Sequence, residues 1–292
     1  SLRLAQQSFV ESRISRDFND PQRQIREEKV EAYSFNLDLK KATSNRNKVF
    51  YGVEFVNNDV NSIGSIENLD LNTKLKGPDR YPQAKWQSIA AYFNNEFDWN
   101  EKTTLQAGAR YNQFILDADF RDNLSFYPLP FEQARINQGA LSGSLGGVYR
   151  PTESWVFKFN LGTAFRAPNV DDLGNIFDSE PGAVVVPNNE LKAEYAYNID
   201  LGVAKIFKEK VKLDFAVYYT LLDQAMVRRN FKLNGLDSIL YDGALSQVQA
   251  SQNAAKAFVY GLQLGVELKL PKGFSLRADL NYQEGKEELD DG

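Results

Sequence analysis

The residue types that usually carry catalysis or bind metals are scarce in this sequence. It contains no histidine and no cysteine among its 292 residues. The lack of imidazole removes histidine-based acid–base catalysis, Ser-His-Asp triads and imidazole metal sites, and the lack of thiols removes disulfides and thiolate metal sites. No pair of carboxylates stands in a recognisable catalytic setting. We therefore predict no catalytic residue, no metal site, no cofactor and no enzymatic activity.

Acidic side chains are the remaining metal-ligating type, and several lie close together in one connecting segment. They are Asp171, Asp172, Asp178 and Glu180. Carboxylate oxygens are the ligands that calcium prefers, but the spacing is not that of a recognised calcium-binding loop. We interpret these groups as solvated loop charge.

Aromatic and arginine side chains in the connecting segments are better candidates for ligand contacts. Tyr81, Phe126, Tyr127 and Phe131 lie in long connections, where exposed rings can stack on a ligand. Arg228 begins another connection and can attract an anionic ligand, although such residues more often contact lipopolysaccharide or solvent. We predict that these side chains contribute to a ligand-binding site.

The elements that would position these residues are predicted to be strands, because apolar and polar residues alternate along most of the chain. Clear examples are 33–39, 155–165, 195–203, 211–221, 260–270 and 274–282. We count about eleven strands. Several exceed ten residues, which is long for an ordinary sheet strand and suits the roughly nine to eleven residues of a tilted membrane-crossing strand.

The connections alternate between short and long. Short turns fall near residues 43, 101, 152, 209 and 272, and long connections cover about 15–29, 59–84, 120–136, 167–192 and 227–255. Outer-membrane barrels have this rhythm, with tight periplasmic turns and long external loops, whereas Greek-key sandwiches have no reason to follow it. Charged residues also stand in mid-strand, where we expect them to face water or a polar lumen: Lys158, Asp200, Asp214, Glu267, Lys269, Arg277 and Asp279.

Composition is compatible with such a barrel. The mean hydropathy is −0.46, and aromatic residues make up 13% of the chain. A membrane barrel stays polar on average because only every second strand residue faces lipid, and it uses aromatic residues at the interfaces. No apolar run approaches the roughly 18 to 20 residues of a spanning helix, which excludes a helical membrane protein. The net charge of −5 offers no basic surface for nucleic acid.

Two short motifs lie at the two ends of the predicted connection 167–192. The first is Phe165-Arg166-Ala167-Pro168, which ends a strand so that Arg166 is expected to point to the lumen, and the second includes Asn188, Asn189 and Leu191, which we interpret as a turn before the next strand. Together they resemble the paired FRAP and NPxLKPE segments in the barrels of TonB-dependent outer-membrane receptors. Asn189 and Ala193 stand where the family commonly has prolines.

The resemblance implies a fold, a location and a set of partners. The expected fold is all-β: an antiparallel up-and-down transmembrane β-barrel, here an incomplete part of about eleven strands, with residues 1–292 forming one partial barrel domain. Family members have a plug domain and further C-terminal strands that this chain lacks, so we expect an internal fragment. The expected location is the outer membrane of a Gram-negative bacterium, in contact with outer-membrane lipid.

The function implied by the resemblance is TonB-dependent active uptake of a scarce small-molecule nutrient, such as an iron–siderophore complex, cobalamin or haem. The inner-membrane TonB complex would act through the missing plug domain. A histidine between the two motifs is implicated in haem uptake, and its absence weakens a haem assignment, although tyrosine can also ligate iron. The alternatives are a secreted or surface all-β binding module, such as an adhesin or a glycan-binding sandwich, and a passive porin.

Overall fold

The structure, a computed structural model, describes residues 1–127, 132–174, 179, 182–241 and 243–289. These residues form one large sheet with a single short helix, α1 (Val170–Gly174), and two 3-10 turns (Arg121–Asn123 and Pro271–Gly273). The strands are β1 (Leu2–Ser15), β2 (Gln22–Ser44), β3 (Asn47–Asn68), β4 (Thr73–Gly77), β5 (Gln83–Asn100), β6 (Thr103–Asp119), β7 (Gln133–Thr152), β8 (Trp155–Arg166), β9 (Ala183–Val185), β10 (Glu194–Phe207), β11 (Val211–Asn230), β12 (Ser238–Tyr241), β13 (Ala244–Lys269) and β14 (Ser275–Leu289). No helix within the described ranges is both long and apolar enough to cross a membrane.

The long strands form an antiparallel meander in chain order. The path runs β1-β2-β3-β5-β6-β7-β8-β10-β11-β13, and β14 pairs with β13 at its end. The short strands branch from it, since β4 pairs with β3, and β12 and β9 pair with β13. The prediction of an all-β up-and-down sheet with about eleven strands is confirmed by the eleven long strands, and the described sheet does not close.

One face of this sheet is apolar and points away from the rest of the protein. A row that crosses it reads Ala107, Leu145, Leu161, Ile199 and Tyr219 on five neighbouring strands. The four large residues of this row are each exposed by 40% or more. Aromatic residues mark the edge of this apolar face beside the short turns: Trp99, Trp155, Phe207 and Phe274. A band of exposed apolar side chains with an aromatic rim is the pattern of a lipid-facing barrel wall.

The opposite face is polar. Near the short turns it carries a pocket of about 540 Å³ whose lining includes Lys158, Asp214, Arg277 and Asp279, as expected for the mid-strand charges. Farther from the short turns on the same face, Arg110 donates to Glu54 Oε1 at 2.6 Å. Because side chains alternate between the two faces of each strand, these charges never meet the apolar face.

Several strands continue into segments that the sequence predicted as connections. β2 begins at Gln22, β3 runs to Asn68 and β13 begins at Ala244, so the predicted connections at 15–29, 59–84 and 227–255 are partly wrong. The reason lies in the cross-strand row Asp59–Lys85–Asp117–Arg135, which continues the apolar face with alternating charges. Where both faces of a strand are polar or both are packed, the period-two signal disappears although the ladder continues.

The buried core lies at this extended end of the sheet, on the polar side of the wall. Phe114, Leu116 and Ile136 of β6 and β7 pack there with Leu173 and Leu191, and all five are almost fully buried. The apolar side chains of the connecting segments thus fold inward over the sheet. The core covers one end of the polar face and includes Val170, Leu173 and Leu191 of the connection between β8 and β10.

Candidate functional site

The connection between β8 and β10 is the centre of the site. It contains α1 and then β9, which runs parallel to β13 with Ala183 beside Gln247 and Val185 beside Gln249. Val184 and Val186 are buried there against Val248 and Ala250. The segment therefore reaches from the end of β8 to a strand two places beyond β10, and it crosses the polar face as it does so.

Arg166 fixes the beginning of this connection. Its Nε donates to Glu194 Oε2 at 2.5 Å, and its Nη1 donates to Asp172 Oδ2 at 2.9 Å. Glu194 also accepts a hydrogen bond from the backbone N–H of Met226, beside the irregular pairing of β11 with β13. The hydrogen bond to Glu194 raises the pKa of Arg166 above its ordinary value. One arginine thus joins β8, α1, β10 and, through Glu194, β11.

The first turn of α1 is held by reciprocal bonds. The backbone N–H of Asn169 donates to Asp172 Oδ2 at 2.9 Å, and the N–H of Asp172 donates to Asn169 Oδ1 at 2.9 Å. Trp86 of β5 donates from Nε1 to the carbonyl of Pro168 at 3.2 Å. Pro168 is fully buried, so the second half of the first motif anchors the helix to β5, three strands away from β8 in the sheet.

The second motif closes the connection against β13. Asn188 Oδ1 accepts from the N–H of Glu190 at 3.0 Å, which makes the expected turn, and β10 begins at Glu194. The side chain of Asn253 accepts a hydrogen bond from the backbone N–H of Lys192 at 2.8 Å and donates to the carbonyl of Lys192 at 2.9 Å. It also donates to the carbonyl of Gln224 at 2.8 Å. Gln224 has a positive φ of 56° at the bulge of β11. Asn253 therefore ties this turn to an irregular point of the wall.

Tyr81 approaches α1 from the other side. Its hydroxyl donates to Asp171 Oδ1 at 3.0 Å, and the guanidinium of Arg80 lies 4.8 Å from the centre of its ring. Burial raises the pKa of Tyr81 to about 12, and the charge of Asp171 adds to the effect. Ser62 Oγ accepts the backbone N–H groups of Arg80 and Tyr81, so β3 holds this segment in place.

The remaining predicted contacts have different environments. Tyr127 is only 8% exposed and stacks on Tyr241 with ring centres 6.2 Å apart, so it is not the exposed ring that the sequence suggested. Phe126 packs against the same core. Phe131 lies outside the described residues. Arg228 is exposed on β11 and lies opposite Ser251 of β13 in the strand register.

The structure thus gathers four of the six predicted contact residues around α1 and the core beneath it: Tyr81, Phe126, Tyr127 and Arg166. Asp171 and Asp172, interpreted as solvated loop charge, instead accept hydrogen bonds from Tyr81 and Arg166. Within the described ranges, no group of three or more acidic residues is arranged to hold a metal ion.

Sequence reasoning missed several polar residues that hold the segment before β5. Asp79 accepts the N–H of Gly64 at 2.5 Å, and its own N–H donates to Asn123 Oδ1 at 2.8 Å. Burial raises the pKa of Asp79, and it also raises the pKa of Glu28, whose strand partner on β3 is Ser62. Glu28 is 6% exposed, and neither carboxylate oxygen has a hydrogen-bond partner among the described residues. No spacing in the sequence distinguishes these residues from ordinary loop charges.

A family model described as TonB dependent receptor-like, beta-barrel matches residues 3–292. No protein of curated function matches the chain at a significant level.

Solved structures resemble the chain in fold. The copper transporter OprC superposes with a TM-score of 0.71 at 16% identity, and the match covers 90% of this chain and 38% of the transporter. The ferric yersiniabactin uptake receptor FyuA from Yersinia pestis gives a TM-score of 0.69 at 16% identity, covering 99% and 40%. A double mutant of the hemophore receptor HasR from Serratia marcescens, in complex with its hemophore HasA and heme, gives a TM-score of 0.62 at 14% identity, covering 98% of this chain and 49% of the receptor. The chain therefore spans between about two fifths and one half of the length of these proteins.

Proposed function

The chain belongs to the family of TonB-dependent receptor-like β-barrels, and from this premise we propose that it works within a Gram-negative outer-membrane receptor for active nutrient uptake. The observation that carries the proposal is the sidedness of the sheet. Exposed apolar residues with an aromatic rim cover one face, and charges such as Lys158 and Arg277 line the other. Lipid on the apolar face and a polar lumen on the other account for both.

In this proposal, residues 1–292 are a partial barrel domain that works together with a plug domain and further strands. The ligand enters from the end that carries the core and the connection between β8 and β10. The inner-membrane TonB complex acts through the plug domain to open the path. The connection itself is held by Arg166, Asp172 and Asn253, so its role is to shape the entrance.

The ligand we propose is a small chelated nutrient, such as an iron–siderophore complex, cobalamin or haem. Support comes from the similar structures, which are a copper transporter, a ferric yersiniabactin uptake receptor and a hemophore receptor in complex with its hemophore and heme. Tyr81, Phe126, Phe131 and Arg228 remain our predicted contacts. Tyr127 and Arg166 would hold the ligand-contacting segments in place without touching the ligand, because Tyr127 is buried and Arg166 is engaged with two carboxylates.

Deletion of the gene in its host provides the test. We expect the deletion strain to lose uptake of one labelled ligand from a panel of ferric siderophores, cobalamin and haem. The loss should be restored by the full-length gene, and it should be matched by a strain that lacks TonB. Unchanged uptake of every ligand would contradict the proposal.

The alternative is a secreted or surface all-β binding module. It requires that the apolar face be covered by protein instead of lipid. Fractionation separates the two functions, because a barrel stays with the outer membrane after an alkaline carbonate wash, whereas a secreted module is released.

A further inference from the structure

The apolar face carries a groove near the short turns. Its volume is about 540 Å³, and its lining comes from five neighbouring strands, β6, β7, β8, β10 and β11. The side chains that form it are Leu105, Tyr149, Phe157, Phe159, Leu201, Val203, Phe215 and Val217. Gly147 lies on its floor, and a Cβ atom there would meet the ring of Phe159 at about 3.0 Å or less. The missing side chain lets this ring lie flat across β7.

Lys205 lies just beyond the end of this groove that is nearer the short turns, whereas Lys158, the one cation in the groove's own lining, also lines the pocket of the polar face. Lys205 follows Val203 on the same face of β10 and lies opposite Trp155 of β8. Its Nζ lies 4.2 Å from the centre of the Trp155 ring and 5.6 Å from that of Phe207, and it donates to Ser154 Oγ at 3.3 Å. Among the residues that the structure describes, no carboxylate lies within ion-pair distance of Lys205.

On the outward side of β8 and β10, both of which the structure describes in full, this lysine is the only charged residue. The outward residues of β8 and β10 are otherwise apolar or uncharged: Trp155, Phe157, Phe159, Leu161, Thr163, Phe165, Tyr195, Tyr197, Ile199, Leu201, Val203 and Phe207. An ammonium group has three donors, and Ser154 uses one of them. The aromatic contacts leave the charge uncompensated at the level where lipid headgroups begin.

We propose that the groove and Lys205 together bind a glycerophospholipid of the leaflet on the short-turn side. One acyl chain occupies the groove between Phe159 and Val217, and the phosphate accepts hydrogen bonds from the Lys205 ammonium beside Trp155. The groove supplies apolar contact area and the lysine supplies the charge that is complementary to the phosphate. This inference rests on the proposed function, because it requires the apolar face to meet lipid.

Native mass spectrometry of the full-length receptor, extracted from outer membranes in a mild detergent, tests the site. We expect the wild-type protein to retain one phospholipid after detergent exchange and to rebind phosphatidylglycerol when it is added back. Lys205→Gln should weaken rebinding about tenfold, which corresponds to about 1.4 kcal/mol. Val203→Trp, which fills the groove and keeps the charge, should lower retention as well.

Lys41→Gln is the matched control. Lys41 lies on the same face near another short turn, opposite Val49 of β3, but β2 and β3 contribute no residue to the groove. We expect this variant to bind phosphatidylglycerol like the wild type. Equal binding by Lys205→Gln and Lys41→Gln would show a lysine that only extends to the interface, and it would overturn the proposal, as would a wild type that retains no lipid.

The outcome also separates this inference from the proposed function. If the variants still import the nutrient from the outer membrane but lipid binding does not depend on Lys205, the lipid site is wrong and the receptor function stands. If the protein does not fractionate with the outer membrane, both fall.

Discussion

Arg166 shows how much structure one side chain of the first motif organises. Its two carboxylate partners come from α1 and from the first residue of β10, and Glu194 continues the chain of contacts to the backbone of Met226. Charge-assisted bonds of this kind are stronger than neutral ones, although exposure of nearly half the Arg166 side chain reduces their net contribution. The motif therefore has a clear structural role at the exit of the strand.

We expect Arg166→Gln to loosen α1 without unfolding the sheet. The variant loses both ion pairs, at a cost of about 1 kcal/mol after solvent screening. Amide hydrogen exchange should rise in 167–174 and stay unchanged in the paired part of β8. The measurement is hydrogen–deuterium exchange followed by mass spectrometry.

Arg277→Gln provides the control for this prediction. Arg277 pairs with Asp279 on its own strand, and no hydrogen bond or ion pair joins it to the described residues of the connection. Its replacement should leave exchange in 167–174 as in the wild type. If Arg166→Gln behaves in the same way, the network does not hold the helix.

Among individual residues, the sequence predicted that Arg166 and Pro168 end the strand, because the first motif contains them. It predicted the turn at Asn188 from residue type. It could not predict Asn253 or Asn123, because their role depends on contacts 44 to 61 residues away in sequence. Nor could it predict that Tyr127 is buried, since a tyrosine in a long connection has the same sequence signature whether it packs on Tyr241 or faces solvent.

Among the strands, a recurring device is a tyrosine that reaches across a glycine. Tyr92 of β5 passes over Gly52 of β3, and its hydroxyl donates to Asp38 of β2 at 2.8 Å. Tyr218 of β11 passes over Gly261 of β13 toward Gln283 of β14 in the same way, with a longer contact of 3.4 Å. Each tyrosine thus links three neighbouring strands, and the glycine between them provides the space.

We expect Gly52→Ala to lower the free energy of unfolding by about 1 to 3 kcal/mol. A Cβ atom there would lie 2.7 Å from Tyr92 Cε1 and would also press on the carbonyl of Leu37, so the tyrosine must leave Asp38. Thermal or urea unfolding of the refolded barrel in detergent measures the change.

Gly202→Ala is the matched control within the sheet. Gly202 also faces the polar side in mid-strand, but the nearest atom to its added Cβ would be 3.7 Å away. We expect a change of less than about 0.5 kcal/mol. Equal destabilisation by the two variants would mean that glycine flexibility, and not the tyrosine crossing, explains the residue at position 52.

The strands themselves were predictable only where the two faces differ. Along β8, β10 and the lower part of β11, apolar and polar residues alternate because one face is apolar and the other polar. In the upper part of β13 the pattern changes to alternate buried and half-buried residues, as at Val248 and Ala250, because the connection packs on it. The strand pairing continues there, but apolar and polar residues no longer alternate in the sequence, so the pattern does not predict a strand.

For the whole molecule, the decisive property is that large apolar residues are exposed on one face while the core is confined to the end with the long connections. A water-soluble sheet buries its apolar face, so the same pattern would be a liability in solution. The meander order, the short turns and this sidedness followed from the sequence, because each depends on residues near one another along the chain. The inward fold of the connection between β8 and β10 did not, because it depends on contacts between distant segments.

Two neighbouring residues test which face meets lipid. Leu145 lies in mid-strand on the apolar face and is 46% exposed, whereas Ser144 lies on the polar face beside a hollow of about 270 Å³. An arginine on the lipid face near the bilayer centre costs about 2 to 4 kcal/mol, whereas one in a polar lumen keeps its hydration. We therefore expect Leu145→Arg to lower folding yield and stability in phospholipid vesicles, and Ser144→Arg to fold like the wild type. If Leu145→Arg were tolerated and Ser144→Arg were not, the apolar face would not be in the membrane, because a residue that meets water accepts arginine and a residue that meets lipid does not.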